Sequence, residues 1–259
     1  KQRMLAENEK IDWVTAHLKD GRFKHNLETA PDWTISRNRF WASPLPIWKN
    51  KKEEVTVIGS LEELKKHTKK SGNKYFVMRH GEAKLNVARR TNGLPDDTNK
   101  LTEEGRHKVE QRAHEIAKEG IKYIYTSPMQ RARETAYVVA ETLGLSPDIV
   151  IQDRRLTENQ FGAMEGMNID EYETRYPQLA DKMKLTPEGA ESWHAVKQRI
   201  TEFLYELEKK HSGANVLIVS HGGPIQMLEA GARGYSEEES GASIYDGRFG
   251  LHCAEVHIL

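Results

Sequence analysis

The sequence holds one cysteine, Cys253, so it forms no internal disulfide and no cysteine-rich zinc site. It has no surplus of charge: 39 basic residues face 39 acidic ones. That balance leaves no broad basic field and removes non-specific nucleic-acid binding from the starting expectations. No apolar run approaches the roughly 20 residues that a membrane-spanning helix needs. The start carries no signal-peptide pattern, and the chain shows no internal repeat and no extended low-complexity tract. Together these absences point to a cytoplasmic globular protein without a membrane partner. At 259 residues there is room for one large domain or two ordinary ones.

What is present is unevenly spread. Four of the five tryptophans, Trp13, Trp33, Trp41 and Trp48, lie in the first 48 residues, and only Trp193 follows. The run Pro44–Trp48 cannot be helical throughout, because each proline biases its predecessor to an extended form. Val55–Ile58 reads as a short strand. Ser60 with Glu63 three residues on predicts a capped helix, fading into a basic linker over Lys65–Asn73. From Lys74 onward strands and helices alternate. Strands are expected at 75–78, 121–126, 149–151, 216–219 and 254–259. Helices are expected at 102–119, 131–143, 190–210 and 224–232. The alternation implies an α/β fold with a mostly parallel sheet.

Three of the strands end in reactive polar groups. Tyr75–Met78 runs into Arg79-His80-Gly81-Glu82. Ile121–Tyr125 runs into Thr126-Ser127-Pro128 and then Arg131. Val216–Val219 runs into Ser220-His221-Gly222-Gly223. Ligands of open α/β sheets sit at the carboxyl ends of strands, so these groups are expected to converge. Two histidines and two arginines suit a phosphoryl group, because the arginine fork pairs with its oxygens. Gly81, Gly222 and Gly223 allow close backbone approach to a ligand.

These residues, with Ser127-Pro-Met-Gln-Arg131-Ala-Arg-Glu-Thr135-Ala136, Leu156-Thr-Glu158, Phe161-Gly162 and Glu165-Gly166, resemble the histidine phosphatase superfamily in its phosphoglycerate mutase-like branch. The resemblance covers about 74–259. It implies a three-layer sandwich, a mostly parallel sheet flanked by helices, with residues 1–73 as an N-terminal appendage. It also implies that His80 is the nucleophile and forms a phosphohistidine. Positive charge from Arg79 and Arg131 is expected to lower the His80 pKa and keep the attacking nitrogen free. Arg79, Arg131 and His221 then surround the transferring oxygens. Glu158 is the general acid and afterwards the base for water, although Glu165 lies nearby. Asn86 sits where the family often has a phosphate-contacting Asn. Arg89, Arg90 and Asn92 are candidates for the substrate mouth, although adjacent arginines also read as a solvated charged turn. No metal and no cofactor is implied, and the expected partner is a small phosphorylated substrate.

Mutases and phosphatases of that family share this chemical core and differ in what accepts the phosphoryl group. Family mutases usually carry a longer stretch between Glu158 and the Ser-His-Gly-Gly motif. Here that stretch is short, and Thr186-Pro187-Glu-Gly189-Ala-Glu191-Ser192 looks like a phosphatase-type Pro-x-Gly-Glu-Ser pattern with one residue inserted. The expectation is a phosphomonoester hydrolase, with a phosphoglycerate mutase-type transferase as the alternative.

The first 73 residues resemble a different family. Trp13-Val-Thr-Ala-His17, Asp20-Gly-Arg-Phe23, Pro31-Asp-Trp33-Thr-Ile-Ser36-Arg37-Asn-Arg39-Phe-Trp41-Ala-Ser-Pro44-Leu-Pro46-Ile-Trp48 and Val57-Ile-Gly-Ser60-Leu-Glu-Glu-Leu64 look like isoleucyl-tRNA synthetase, where its chain returns from the editing to the catalytic domain. Ala42-Ser43 departs from that family's usual Gly followed by a small residue. The His-Ile-Gly-His and Lys-Met-Ser-Lys-Ser signatures of class I synthetases are absent, so no aminoacylation site is assigned. Three origins stay open: a piece of a natural fusion, a truncated gene, or a recombination product. tRNA enters as a partner only if the segment belongs to a larger synthetase, to which the phosphatase-like part is then an accessory.

Overall fold

The computed structural model describes residues 1–14, 16–31, 46–68, 70–94, 98–175, 183, 186–245 and 252–259. The chain divides into two compact units, Lys1–Thr68 and Lys69–Leu259.

The first unit begins with α1 (Gln2–Lys10) and α2 (Ala16–Leu18), which runs through a π-turn, Lys19–Phe23, into α3 (Lys24–Thr29). The turn kinks at Gly21, whose backbone leaves the helical region. Trp13 stacks on Phe23 with centroids 4.9 Å apart, and its indole N–H donates to the Asn8 side chain at 3.1 Å. Trp33, Trp41 and Pro44 lie outside the described residues. After them come β1 (Ile47–Lys49) and β2 (Val55–Val57), an antiparallel hairpin. Asn50 closes its turn by accepting from the Lys52 and Glu54 amides. The expected strand at Val55–Ile58 thus has a partner in β1, which the proline-rich run had concealed. Ser60 caps α4 (Leu61–His67) by accepting from the Glu63 amide at 3.1 Å. The helix keeps its form through Lys65, Lys66 and His67, where a linker was expected, because cations in a last turn suit the helix dipole.

In the second unit the carbonyl of Ser71 accepts from Gly213, and the Asn73 side chain bonds the His211 carbonyl and the Ala214 amide. A five-stranded sheet follows, in the order β5-β4-β6-β3-β7. Its strands are β3 (Lys74–Arg79), β4 (Tyr123–Thr126), β5 (Val150–Gln152), β6 (Asn215–Ser220) and β7 (Val256–Ile258). All neighbours are parallel except β7, which runs antiparallel to β3 at the edge. The central strands are buried on both faces, which is why they read as continuous apolar runs. Alternate residues face opposite layers. Phe76, Met78, Leu217 and Val219 pack with α6 (Glu103–Glu115) and α7 (Gln130–Thr142). Tyr75, Val77, Val216 and Ile218 pack with α9 (Trp193–Lys210) and α10 (Gly222–Ala232). The described residues also form three short helices, α5 (Lys84–Val87), α8 (Ile169–Arg175) and α11 (Glu237–Tyr245).

Local chemistry sets the ends of the long helices. Thr102 caps α6 through the Gly105 amide, and Gly120, at φ 63°, ends the turn that follows it. α9 starts at Trp193 rather than at residue 190, because the Ser192 hydroxyl accepts from the Ala195 amide. The result is the three-layer α/β sandwich with a mostly parallel sheet that the sequence implied.

Candidate active site

The β3–β6 register sets Arg79 beside Ser220, so the two histidines that follow emerge side by side at the carboxyl end of the sheet. The His80 amide donates to the Ser220 carbonyl at 3.0 Å. The two imidazoles lie 5.0 Å apart and are buried. α7 brings in Arg131, itself 1 % exposed. Thr135 binds this assembly together, donating to the Arg131 carbonyl and accepting from the Gly81 amide. Ser220 donates to the Leu156 carbonyl at 2.7 Å and so anchors the segment that leads to Glu158.

The hydrogen bonds decide the state of His80. Its Nδ1 lies 2.7 Å from the Gly81 carbonyl. A carbonyl only accepts, so Nδ1 carries the proton and Nε2 holds a lone pair. The Nε of Arg131 donates to that Nε2 at 3.2 Å. Burial, and then the charges of Arg131 and Arg79, hold the His80 pKa well below its ordinary value. The ring is therefore neutral near pH 7, with its free nitrogen facing the guanidinium.

His221 is held low by burial and by Arg131, His80 and Arg79. Its Nε2 lies 2.9 Å from the Ser127 hydroxyl, which also accepts from the Met129 amide. The Nδ1 of His221 is buried and has no partner among the described residues. If the Ser127 hydroxyl donates to Nε2, Nδ1 carries the proton and is a free donor for an anionic oxygen.

His80 and Arg131 line a cavity of about 800 Å³ with Arg79, Asn86, Arg90, Asn92, Glu158, Trp193 and Gly222, while His221 stands behind the wall with its ring 5.0 Å from that of His80. Glu158 is half-buried, and burial of its carboxyl raises its pKa against the opposing pull of the Asn159 amide and of Arg131 and Arg79. Glu165 does not line the cavity. Its carboxylate accepts from the amides of Phe161 and Gly93. Asn86 reaches the wall while its Oδ1 accepts from the Ala83 amide at 2.9 Å. Arg90 also lines it, and donates to the Gly166 carbonyl at 2.7 Å. Arg89 does not reach it: its backbone is left-handed, at φ 48°, and its guanidinium pairs with Asp170. A methyl group on Gly222 would stand 3.6 Å from the Arg79 guanidinium, an ordinary contact, whereas one on Gly223 would come within 2.8 Å of the Trp193 ring.

The sequence left Ser127, Trp193 and the edge-to-face pair of Phe161 and Tyr172 without roles. Ser127 stood inside a motif, but its role depends on a contact 94 residues away. Trp193 carried a weak signal, following the Ser192 cap directly. No group of three or more His, Cys, Asp or Glu able to hold a metal ion occurs among the described residues.

Comparison with known proteins finds two families along the chain, whose matches overlap over residues 75–103. Residues 75–245 match the model of the histidine phosphatase superfamily, branch 1. Residues 1–103 match that of class I tRNA synthetases for I, L, M and V. The isoleucine–tRNA ligase of Chlamydia abortus is 56 % identical over 68 residues, 26 % of this chain and 6 % of the ligase. That of Bdellovibrio bacteriovorus is 56 % identical over 66 residues, again 26 % and 6 %. The chain thus spans a small fraction of these relatives. Among solved structures, mycobacterial glucosyl-3-phosphoglycerate phosphatase superposes with a TM-score of 0.62 at 27 % identity, covering 72 % of this chain and 90 % of that one. YhfR of Bacillus stearothermophilus gives 0.61 at 29 % identity, with the same coverage.

Proposed function

The chain belongs to branch 1 of the histidine phosphatase superfamily, and from that premise we propose that it hydrolyses small phosphate monoesters through a phosphohistidine on His80. The carrying observation is the bond between His80 Nδ1 and the Gly81 carbonyl, which leaves Nε2 unprotonated on a residue that lines the cavity.

In the first step the Nε2 lone pair of His80 attacks phosphorus, and the ester P–O bond breaks. Glu158, whose raised pKa favours the carboxylic acid, gives its proton to the departing alkoxide. Arg79, Arg131 and His221 Nδ1 supply donors to the phosphoryl oxygens, where the transition-state charge is spread. In the second step Glu158, now a carboxylate, takes a proton from water as the water oxygen attacks phosphorus. The P–N bond breaks, phosphate leaves, and the electron pair returns to His80 Nε2. No proton or electron is left over, and both proton transfers use one residue.

Hydrolysis is favoured over transfer to a second ester by the short stretch between Glu158 and Ser220 and by the phosphatase name of a superposable relative. The cytoplasm is the compartment we propose, since a lone thiol suits a reducing environment. No helix among the described residues is long and apolar enough to cross a membrane. Residues 1–68 form a synthetase-like unit; tRNA as a partner belongs to a longer ligase chain and is proposed only for such a chain.

The test is turnover of an aryl phosphate without added metal, beside His80→Ala, with an alkaline denaturing quench to trap an acid-labile, base-stable phosphoenzyme. Turnover and trapping in the wild type and neither in His80→Ala are expected. Turnover that survives in His80→Ala refutes the proposal. Activity that appears only with a bisphosphorylated primer moves the assignment to a mutase.

A further inference from the structure

α7 carries two arginines two positions apart, Arg131 and Arg133. On an α-helix that spacing is about 200° of rotation, so the two guanidiniums leave on opposite sides. Arg131 enters the catalytic cavity. Arg133 lines a second cavity of about 710 Å³, which shares no lining residue with the first. This second cavity also lies at the carboxyl end of the sheet. Pro128 follows β4, and Gln152 is the last residue of β5. Parallel sheets place their ligands at that end, and the volume suits a small organic ligand.

Among the described residues the charges in this cavity do not cancel: three arginines line it, Arg133, Arg154 and Arg199, with one carboxylate, Glu191. Arg199 occupies that carboxylate with two parallel hydrogen bonds of 2.7 and 2.9 Å. Asp153, which adjoins Arg154 in sequence, is taken by Arg155. Arg133 and Arg154 therefore have no carboxylate and no hydrogen-bond acceptor among the described residues. The Nε of Arg133 is wholly buried without an acceptor. A permanently charged group with a desolvated, unpaired N–H is costly to keep unless an anion completes it. Gln152 and Gln160 stand at the same cavity with side-chain amides that both donate and accept.

We propose that this cavity is a second anion site, separate from the catalytic one, which takes a phosphate-class oxyanion between Arg133 and Arg154. The anion is inorganic phosphate or the phosphoryl group of a small ester; both present the same oxygens to the two guanidiniums. Among the described residues no cysteine, serine or histidine lines the cavity, so the site is assigned binding and not reaction. Segment 157–160 separates the two sites, with Glu158 facing the catalytic cavity and Thr157 and Gln160 the second.

Calorimetric titration of the full chain with inorganic phosphate tests the assignment. The wild type is expected to bind two equivalents. R133Q/R154Q is expected to bind one, with the other weakened by about tenfold or more, the scale of a lost charge-assisted bond. Its turnover of an aryl phosphate should remain unchanged, because neither residue lines the catalytic cavity. Arg154 is exposed, so R154Q alone keeps the fold and should show the same weakening. Titrating glycerol phosphate into a His80→Gln background identifies the occupant: tighter second-site binding than inorganic phosphate assigns the ester, weaker binding the free ion. A single equivalent in the wild type overturns the proposal, as does a second equivalent of unchanged affinity in R133Q/R154Q. Neither result touches the reading of His80.

Discussion

Glu158→Gln separates the two proton transfers assigned to one carboxyl group. The glutamine is close in size, and its Oε1 still accepts from the Asn159 amide, which now donates to the carboxylate at 2.9 Å. The loss is therefore chemical rather than architectural. General acid–base catalysis contributes about 10²- to 10⁴-fold, or about 3–5 kcal/mol. An alkyl phosphate, whose alkoxide needs a proton to leave, should lose turnover by that factor. p-Nitrophenyl phosphate releases a phenolate that departs unprotonated, so its first step should be nearly intact. Its second step still lacks a base for water. Rapid-quench measurements should therefore show a burst of about one equivalent of nitrophenol, followed by slow turnover and accumulated phosphoenzyme. Equal losses for both esters with no burst would refute the assignment of the acid to Glu158. Glu165→Gln is the control, since Glu165 holds the Gly93 and Phe161 amides outside the cavity. Stability gives an independent reading. Burial raises the folded-state pKa of Glu158, so the folded state binds this proton more tightly than the unfolded chain does. Stability is therefore lost as pH rises above the ordinary carboxyl value. Glu158→Gln should melt higher than the wild type at pH 8, with the difference closing near pH 4.

His80 and His221 are both held well below the ordinary histidine value, so each becomes protonated only well below pH 6.5. The acid limb of kcat/KM should lie there, and a half-maximum at or above pH 6.5 contradicts the neutral pair. Ser127→Ala removes the hydroxyl beside His221 Nε2 and releases the choice of tautomer. A fall in kcat of about tenfold is expected from one lost hydrogen bond, restored by Ser127→Thr, and unchanged kcat dismisses Ser127 as a positioning residue. Gly93→Ala would place a methyl 1.9 Å from the Asn159 carbonyl oxygen. Overpacking of that kind costs about 1–3 kcal/mol, so thermal unfolding should show a lowered Tm, and an unchanged Tm rules out the close approach.

Much of the fold and the heart of the site could be read along the chain. Tyr75–Met78 and Val216–Val219 announced themselves as buried parallel strands because both their faces are covered. The dipeptides after them, Arg79-His80 and Ser220-His221, follow directly, so strand ends and catalytic candidates came together. The capped start at Ser60 rests on a contact of three residues, whereas the cap at Ser192 was missed and α9 was expected from residue 190. What else stayed hidden depends on partners distant in sequence. β1 escaped because its prolines obscure the strand and only the pairing with β2 reveals it. The short helices α5, α8 and α11 lack enough turns for a period to emerge.

The sequence by itself determined which residue types are available, and at which strand ends, because local periodicity and motif order are properties of the chain. Only the tertiary structure placed Glu158 at the cavity and Glu165 away from it, since both follow the same loop and the Glu165 carboxylate is consumed by the Gly93 and Phe161 amides. It likewise separated Arg90, at the cavity wall, from Arg89, paired with Asp170. It also set the proton on His80 Nδ1 and sent Arg131 and Arg133 to different cavities. Hydrogen-bond partners and burial are relations between segments, and folding alone creates them.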